Sequence, residues 1–236
     1  FMKIIYGMYK PDEGEIYVRG KKVNISSPKD AISLGIGMVH QHFTLVPSMT
    51  VLENVVLGCK TKKSPLLDLK SAKKRLINLS KKFGLTVDPY KKVEELSVGE
   101  QQRVEILKVL YRGVSILILD EPTSVLTPQE VEALFSALKS MVRQGLTIVF
   151  ITHKLREVFE VSDRVTVLRR GRVVARLKTS ETNLRELARL MVGREILSQP
   201  SPTLVQPGDV VLRLENVVAL SDRGLPALKG VSLYVR

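Results

Sequence analysis

The chain of 236 residues has no tryptophan, one cysteine and an aromatic content of only 5%. Cys59 has no second cysteine to pair with and none at metal-ligand spacing, which excludes an internal disulfide framework and a cysteine-based zinc site. No apolar run reaches the roughly 18–20 residues needed to cross a bilayer, so a membrane role is expected to run through a partner. Histidine is scarce too. Of the three, His40 and His42 flank Gln41 without carboxylate or cysteine support, a poor pattern for a metal site. Aromatic residues are thin where charge is dense: Lys60, Lys62, Lys63, Lys70, Lys73, Lys74, Arg75, Lys81, Lys82, Lys91 and Lys92 are accompanied only by Phe83 and Tyr90. Single-strand nucleic-acid binding sites interleave stacking rings with cations, so no nucleic-acid partner is expected here.

What is present is charge and core. Thirty-seven Lys and Arg against 24 Asp and Glu give a net charge of +13, a balance suited to polyanionic ligands or an anionic surface. In the lysine-rich stretch Leu66, Leu69, Leu76, Leu79 and Phe83 keep a roughly helical rhythm, and a solvated helix face is the plainer reading. A hydrophobic content of 44% supplies a core for one α/β domain, or one domain and a piece of another.

Turn and cap residues divide the chain. Residues 1–9 read as a helix closed by Gly7, and Glu15 to Arg19 as a strand turning at Gly20. Ser27-Pro28 opens a short helix, and Gly37 to His40 forms a strand. Thr50 with Glu53, and Thr127-Pro128 with Glu130, are capping boxes for helices over 51–57 and to about 144. A helix to about Arg112 leads into Ser115 to Leu119, whose apolar run suits a strand covered on both faces. Leu146 to Ile151 is a second such strand, followed by a helix over 154–161, a hairpin around Arg170-Gly171 and an amphipathic helix through Leu184, Leu187, Ala188 and Met191. Strands alternating with helices predict an α/β fold with a mainly parallel sheet. Pro and Gly from Gln199 to Gly208 mark a linker, and two strands follow within 211–217 and 228–235.

Chemistry gathers where buried strands end. Asp120 closes one, where a carboxylate leaving the sheet edge suits magnesium; Glu121 follows, and neighbouring residues point in different directions, so it faces an attacking water instead. His153, just past the next strand, reaches for a γ-phosphate oxygen, and Gln41, past the strand from Gly37, for magnesium or the water. Ser97-Val98-Gly99, followed by Glu100 at a helix start, combines a hydroxyl, a glycine that permits close approach and helix N-terminal N–H groups, an anion site. Singly, these features fit a solvated turn, a structural histidine and a simple N-cap; together they fit phosphoryl transfer.

The block Leu96-Ser97-Val98-Gly99-Glu100-Gln101-Gln102-Arg103, followed by Ile116 to Thr123, resembles the signature loop and Walker B segment of ABC transporter ATPases. With Gly35 to Phe43, Asp120-Glu121-Pro122-Thr123 and Met191-Val192-Gly193-Arg194-Glu195, the likeness is nearest to the tandem-cassette ATPases of bacterial sugar and nucleoside importers. That resemblance implies a P-loop NTPase-type core with a helical subdomain at about 43–112, and ATP with Mg2+ as cofactors. It implies Gln41 as the Q-loop residue and a magnesium ligand, Asp120 as magnesium partner, Glu121 as catalytic carboxylate and His153 as switch histidine. Ser97, Val98, Gly99 and Glu100 would contact ATP held by an opposite cassette; Val98 stands where the widespread motif has glycine.

The resemblance also implies that the Gly-rich phosphate loop and the first strands lie before Phe1. Residues 1–197 are then a first cassette, 198–209 a linker and 210–236 the first strands of a second. Losing four charge-assisted phosphate contacts, at roughly 1.5–3 kcal/mol each, would remove most of the affinity of a micromolar site, about 8 kcal/mol. The implied partners are permease subunits, a second cassette and, indirectly, a solute-binding protein, and the implied place of this chain is the cytoplasmic face of the membrane. Two alternatives are a non-catalytic module lending only its signature loop, and a soluble cassette protein acting on ribosomes or nucleic acid.

Overall fold

Residues 1–59, 68–193, 208–220 and 226–236 are described by a computed structural model. They divide into two units, Phe1–Gly193 and Arg194–Arg236. The expected linker 198–209 lies outside the described residues except for Gly208 and Asp209, as do Arg194 and Glu195 of the last motif.

In the first unit α1 (Met2–Ile5) is shorter than the sequence suggests. Gly7 explains the early stop: its φ is +78°, and a Cβ there would run into the carbonyl of Ser27. β1 (Ile16–Val18) and β2 (Lys21–Val23) form an antiparallel hairpin, β2 being a strand that the sequence does not announce. Ser27 caps α2 (Pro28–Ser33), with proline in its first turn.

β3 (Ile36–Val39) is buried throughout. α3 (Val51–Val56) starts at the Thr50–Glu53 capping box, and α4 (Leu69–Phe83) ends at Gly84 in the left-handed conformation. The two rings in the basic stretch are engaged by its own lysines: Lys73 Nζ lies 4.3 Å from the Tyr90 centroid and Lys82 Nζ 5.0 Å from that of Phe83. α5 (Val98–Tyr111) precedes β4 (Ile116–Asp120), and α6 (Pro128–Arg143) precedes β5 (Thr147–Ile151). α7 (Leu155–Val161) leads to the antiparallel hairpin of β6 (Arg164–Arg169) and β7 (Arg172–Lys178), and α8 (Leu184–Val192) closes the unit.

β3, β4 and β5 form a parallel sheet in that order, with Val39 opposite Leu119 and Asp120 opposite Ile151. Strand periodicity assigns its two faces. Val39, Leu117, Leu119, Ile148 and Phe150 pack with α3 to α6 in the larger core. Ile36, Met38, Ile118, Val149 and Ile151 pack on the other side with Met2, Ile5, Ile25 and Ala31. Gly37 lies where a Cβ would collide with Val109 and Val114, so only glycine lets α5 seat this close to β3.

In the second unit β8 (Leu212–Leu220) and β9 (Pro226–Val235) form an antiparallel ribbon.

Candidate active site

Extending the ladder by two residues sets Gln41 beside Glu121, since Val39 pairs with Leu119. Asp120 pairs with Ile151, and His153 follows two residues later. All the strand-end residues singled out from the sequence therefore emerge at the C-terminal edge of one parallel sheet, the usual place for ligand chemistry in such sheets.

Glu121 is the centre of the group. Its Oε1 lies 3.0 Å from His153 Nδ1, and its Oε2 accepts from Gln41 Nε2 at 3.2 Å. Because a carboxylate only accepts, Nδ1 of His153 donates and Nε2 points elsewhere. His153 is 64% exposed and Glu121 28%, so the pair sits at the surface of the edge. The backbone of Glu121 is left-handed at φ +45°, uncommon for a residue other than glycine. Its N–H donates to Ile151 O at 3.1 Å.

Asp120 shares a strand face with Ile118, which belongs to the cluster containing Met2, Ile5 and Ala31. The two consecutive carboxylates thus leave the strand in different directions. Among the described residues no group of three His, Cys, Asp or Glu side chains gathers to cage a cation. Mg2+ takes one or two protein oxygens and completes its shell with phosphate and water, and Asp120 and Gln41 are the residues that could offer those oxygens. Asp120 supplies a carboxylate. Gln41, with its amide nitrogen bonded to Glu121, keeps Oε1 as an oxygen that could meet a cation.

Ser97 begins α5 as an N-cap: Glu100 N donates to Ser97 Oγ at 3.2 Å, and Ser97 N donates to Glu100 Oε2 at 2.8 Å. That N–H, helped by Lys91 with Nζ at 3.5 Å, holds the Glu100 carboxyl below the usual carboxylate range. Val98 is 42% exposed, whereas Gly99 is buried against α6, where a Cβ would run into Glu130 Oε1. Among the described residues no hydrogen bond or ion pair joins Ser97, Val98, Gly99 or Glu100 to Gln41, Asp120, Glu121 or His153.

Two supporting networks escape sequence reasoning. Glu105 on α5 is 4% exposed and accepts from the N–H and Oγ1 of Thr44, while Lys108 Nζ donates to Thr44 O at 3.0 Å. The loop after Gln41 is thereby gripped by α5. Glu157 on α7 accepts from Thr123 and Thr152 and pairs with Lys154. The i,i+3 spacing of Lys154 and Glu157 was the one visible signal for the second network.

The sequence profile of the ABC transporter family matches residues 1–124. The chain is 48% identical over 235 residues to the nucleoside import ATP-binding protein NupA of Lactococcus lactis subsp. cremoris, covering all of this chain and 46% of that protein. It is 47% identical over 263 aligned positions to the glucose import ATP-binding protein TsgD13 of Haloferax volcanii, covering all of this chain and 48% of that protein. The fold matches the ATP-binding cassette MJ0796, solved as a dimer in a post-hydrolysis state bound to ADP and Pi, with a TM-score of 0.64 and 31% identity over 75% of this chain and 78% of that one. The fold and the profile thus define an ATP-binding-cassette protein, and this chain belongs to the ABC transporter family. It spans about half the length of the two import proteins.

Proposed function

We propose that this chain is the part of an importer's ATP-hydrolysing subunit that carries the catalytic carboxylate, acting on Mg–ATP and coupled to uptake of a simple sugar or nucleoside. The observation that carries the reading is Glu121, held between His153 at 3.0 Å and Gln41 at 3.2 Å on the C-terminal edge of a parallel sheet. Each carboxylate oxygen keeps a second lone pair beyond those bonds, so Glu121 can still accept a proton from an attacking water. His153 Nε2, on the far side of a ring tethered through Nδ1, is left to donate to a phosphate oxygen when protonated. Asp120 and the Gln41 amide oxygen would hold Mg2+, which when bound neutralises charge on the phosphates. The import proteins NupA and TsgD13 support the solute class by name; the substrate itself would be chosen by permease subunits and a solute-binding protein, while this chain would sit at the cytoplasmic face of the membrane.

A contribution in trans is part of the same reading. Ser97 to Glu100 stand at a helix N-terminus with Val98 exposed, and among the described residues none of them bonds to Glu121, so this turn would be the one offered to nucleotide on a second cassette. The test is Mg–ATP binding and phosphate release by this chain, alone and mixed with a complete cassette, in wild type and Glu121→Gln. Hydrolysis lost in Glu121→Gln with binding retained, or stimulation of the added cassette, supports the proposal. Hydrolysis that survives Glu121→Gln unchanged, or no response to Mg–ATP alone or in the mixture, overturns it.

A further inference from the structure

The backbone ladder between β4 and β5 ends at the pair Asp120 and Ile151, and one further bond, Glu121 N to Ile151 O at 3.1 Å, carries it into the loops. Beyond that point side chains take over. Glu157, only 7% exposed, accepts from Thr123 Oγ1 at 2.6 Å through Oε1 and from Thr152 Oγ1 at 2.7 Å through Oε2. Thr123 lies two residues after Glu121, and Thr152 immediately precedes His153. Lys154 closes the arrangement: its Nζ is 3.5 Å from Glu157 Oε1 and donates to Thr123 O at 3.1 Å and Thr123 Oγ1 at 3.3 Å. Its N–H donates to Thr152 Oγ1 at 3.0 Å.

We propose that Glu157 is a positioning residue which, with Lys154, latches the loop carrying Glu121 to the loop carrying His153 and so fixes the Glu121–His153 pair. Two physical facts require such a device. Glu121 is left-handed at φ +45°, and a strained backbone at a side chain of this size persists only where its surroundings over-determine it. Its own backbone bonds, to Ile151 O and from Ser124 N at 3.2 Å, hold one side; Thr123 is the next anchor along the loop. The second fact is the carboxylate itself. A buried carboxylate is retained only when its oxygens are satisfied, and here two hydroxyls and one ammonium converge on it from both loops at once. The latch thus sets the relative position of two side chains that are themselves at the surface. Its bearing on catalysis rests on the hydrolytic reading above, but the latch can be read without nucleotide.

The experiment compares nucleotide-free wild type, Thr123→Val, Glu157→Leu and Glu157→Gln. Amide exchange is followed at Glu121 and Ser124, with Leu138 and Met141 of α6 as internal references. The tautomer of neutral His153 is read by 15N NMR, its signals assigned by their loss in His153→Gln. In wild type the Nδ1–H form should dominate. In Thr123→Val and Glu157→Leu the two loop amides should exchange on the order of tenfold faster while the α6 amides do not change. The Nδ1–H form should become the minor tautomer in both. Glu157→Gln, which can accept from one threonine and donate to the other, should stay close to wild type. Thr123→Val conserves volume, so it decides the matter even if Glu157→Leu does not fold. The latch is overturned if Thr123→Val leaves both readouts unchanged, if all amides accelerate together, or if wild-type His153 is not Nδ1–H. Loss of the hydrolytic reading would show only in the nucleotide assays and would leave these results standing.

Discussion

Gly99 shows how much a single missing methyl group decides. It occupies the first turn of α5, buried, with Glu130 Oε1 where its Cβ would be. Glu130 is not free to swing away, because its carboxylate accepts from Thr127 N and Thr127 Oγ1, each at 3.0 Å, in the capping box of α6. Gly99→Ala must therefore displace Glu130 and open that box, a loss of about 1 kcal/mol. The same substitution removes a glycine from a helix, which by itself favours folding by about 0.5–1 kcal/mol. The two effects separate in a double-mutant cycle. Gly99→Ala should lower the melting temperature in wild type and raise it in a Glu130→Ala background. If the sign is the same in both backgrounds, the contact between Gly99 and Glu130 does not constrain the loop.

The start of α3 is an element held by one buried amide. Asn54 is fully buried; its Oδ1 accepts from Val46 N at 2.7 Å, and its Nδ2 donates to Val46 O and Thr50 O, both at 3.1 Å. Asn54→Leu keeps the bulk but leaves the Val46 N–H and C=O without their partner. The expected loss is about 2–3 kcal/mol, as for stranded buried polar groups, and denaturant unfolding should show it as a lower midpoint with an unchanged slope. The buried bonding of Asn54 was invisible in the sequence, where it reads as one of two polar residues in Val-Leu-Glu-Asn-Val-Val. The capping boxes at Thr50 and Thr127 were legible because such a cap is a local event within four consecutive residues. Gln41, Asp120, Glu121 and His153 were legible for a related reason: each follows an apolar strand, and strand ends of a parallel sheet share an edge. Glu105 and β2 were not, since their partners lie in other elements and no period or spacing encodes them, and of the Glu157 network only the i,i+3 spacing to Lys154 showed. At Ser97 the sequence supported two readings, cap and anion site, and the hydroxyl here closes the α5 capping box.

At the scale of the whole first unit, three helix starts share one electrostatic device. Glu53, Glu100 and Glu130 each accept the N–H of their own N-cap residue, Thr50, Ser97 and Thr127, and each carboxyl is held below the usual carboxylate range chiefly by that backbone bond. A carboxyl whose pKa is lower in the folded than in the unfolded state contributes stability that is complete above the unfolded value, about 4.3 for Glu. It is lost as the pH falls through the folded value. These boxes open helices on the α3–α6 side of the sheet, so acid should loosen that side through its helix N-termini. The net charge of +13 adds to this, because protonating carboxylates raises an already positive charge and its self-repulsion. Melting temperature should therefore be flat from neutral pH down to about 5 and fall steeply below the unfolded Glu value. A triple variant with Gln at positions 53, 100 and 130 keeps an acceptor for each N–H but cannot ionise. It should start lower at neutral pH and lose less between pH 5 and 3. Parallel melting curves for the two proteins across that range would show that the three caps do not carry the acid response.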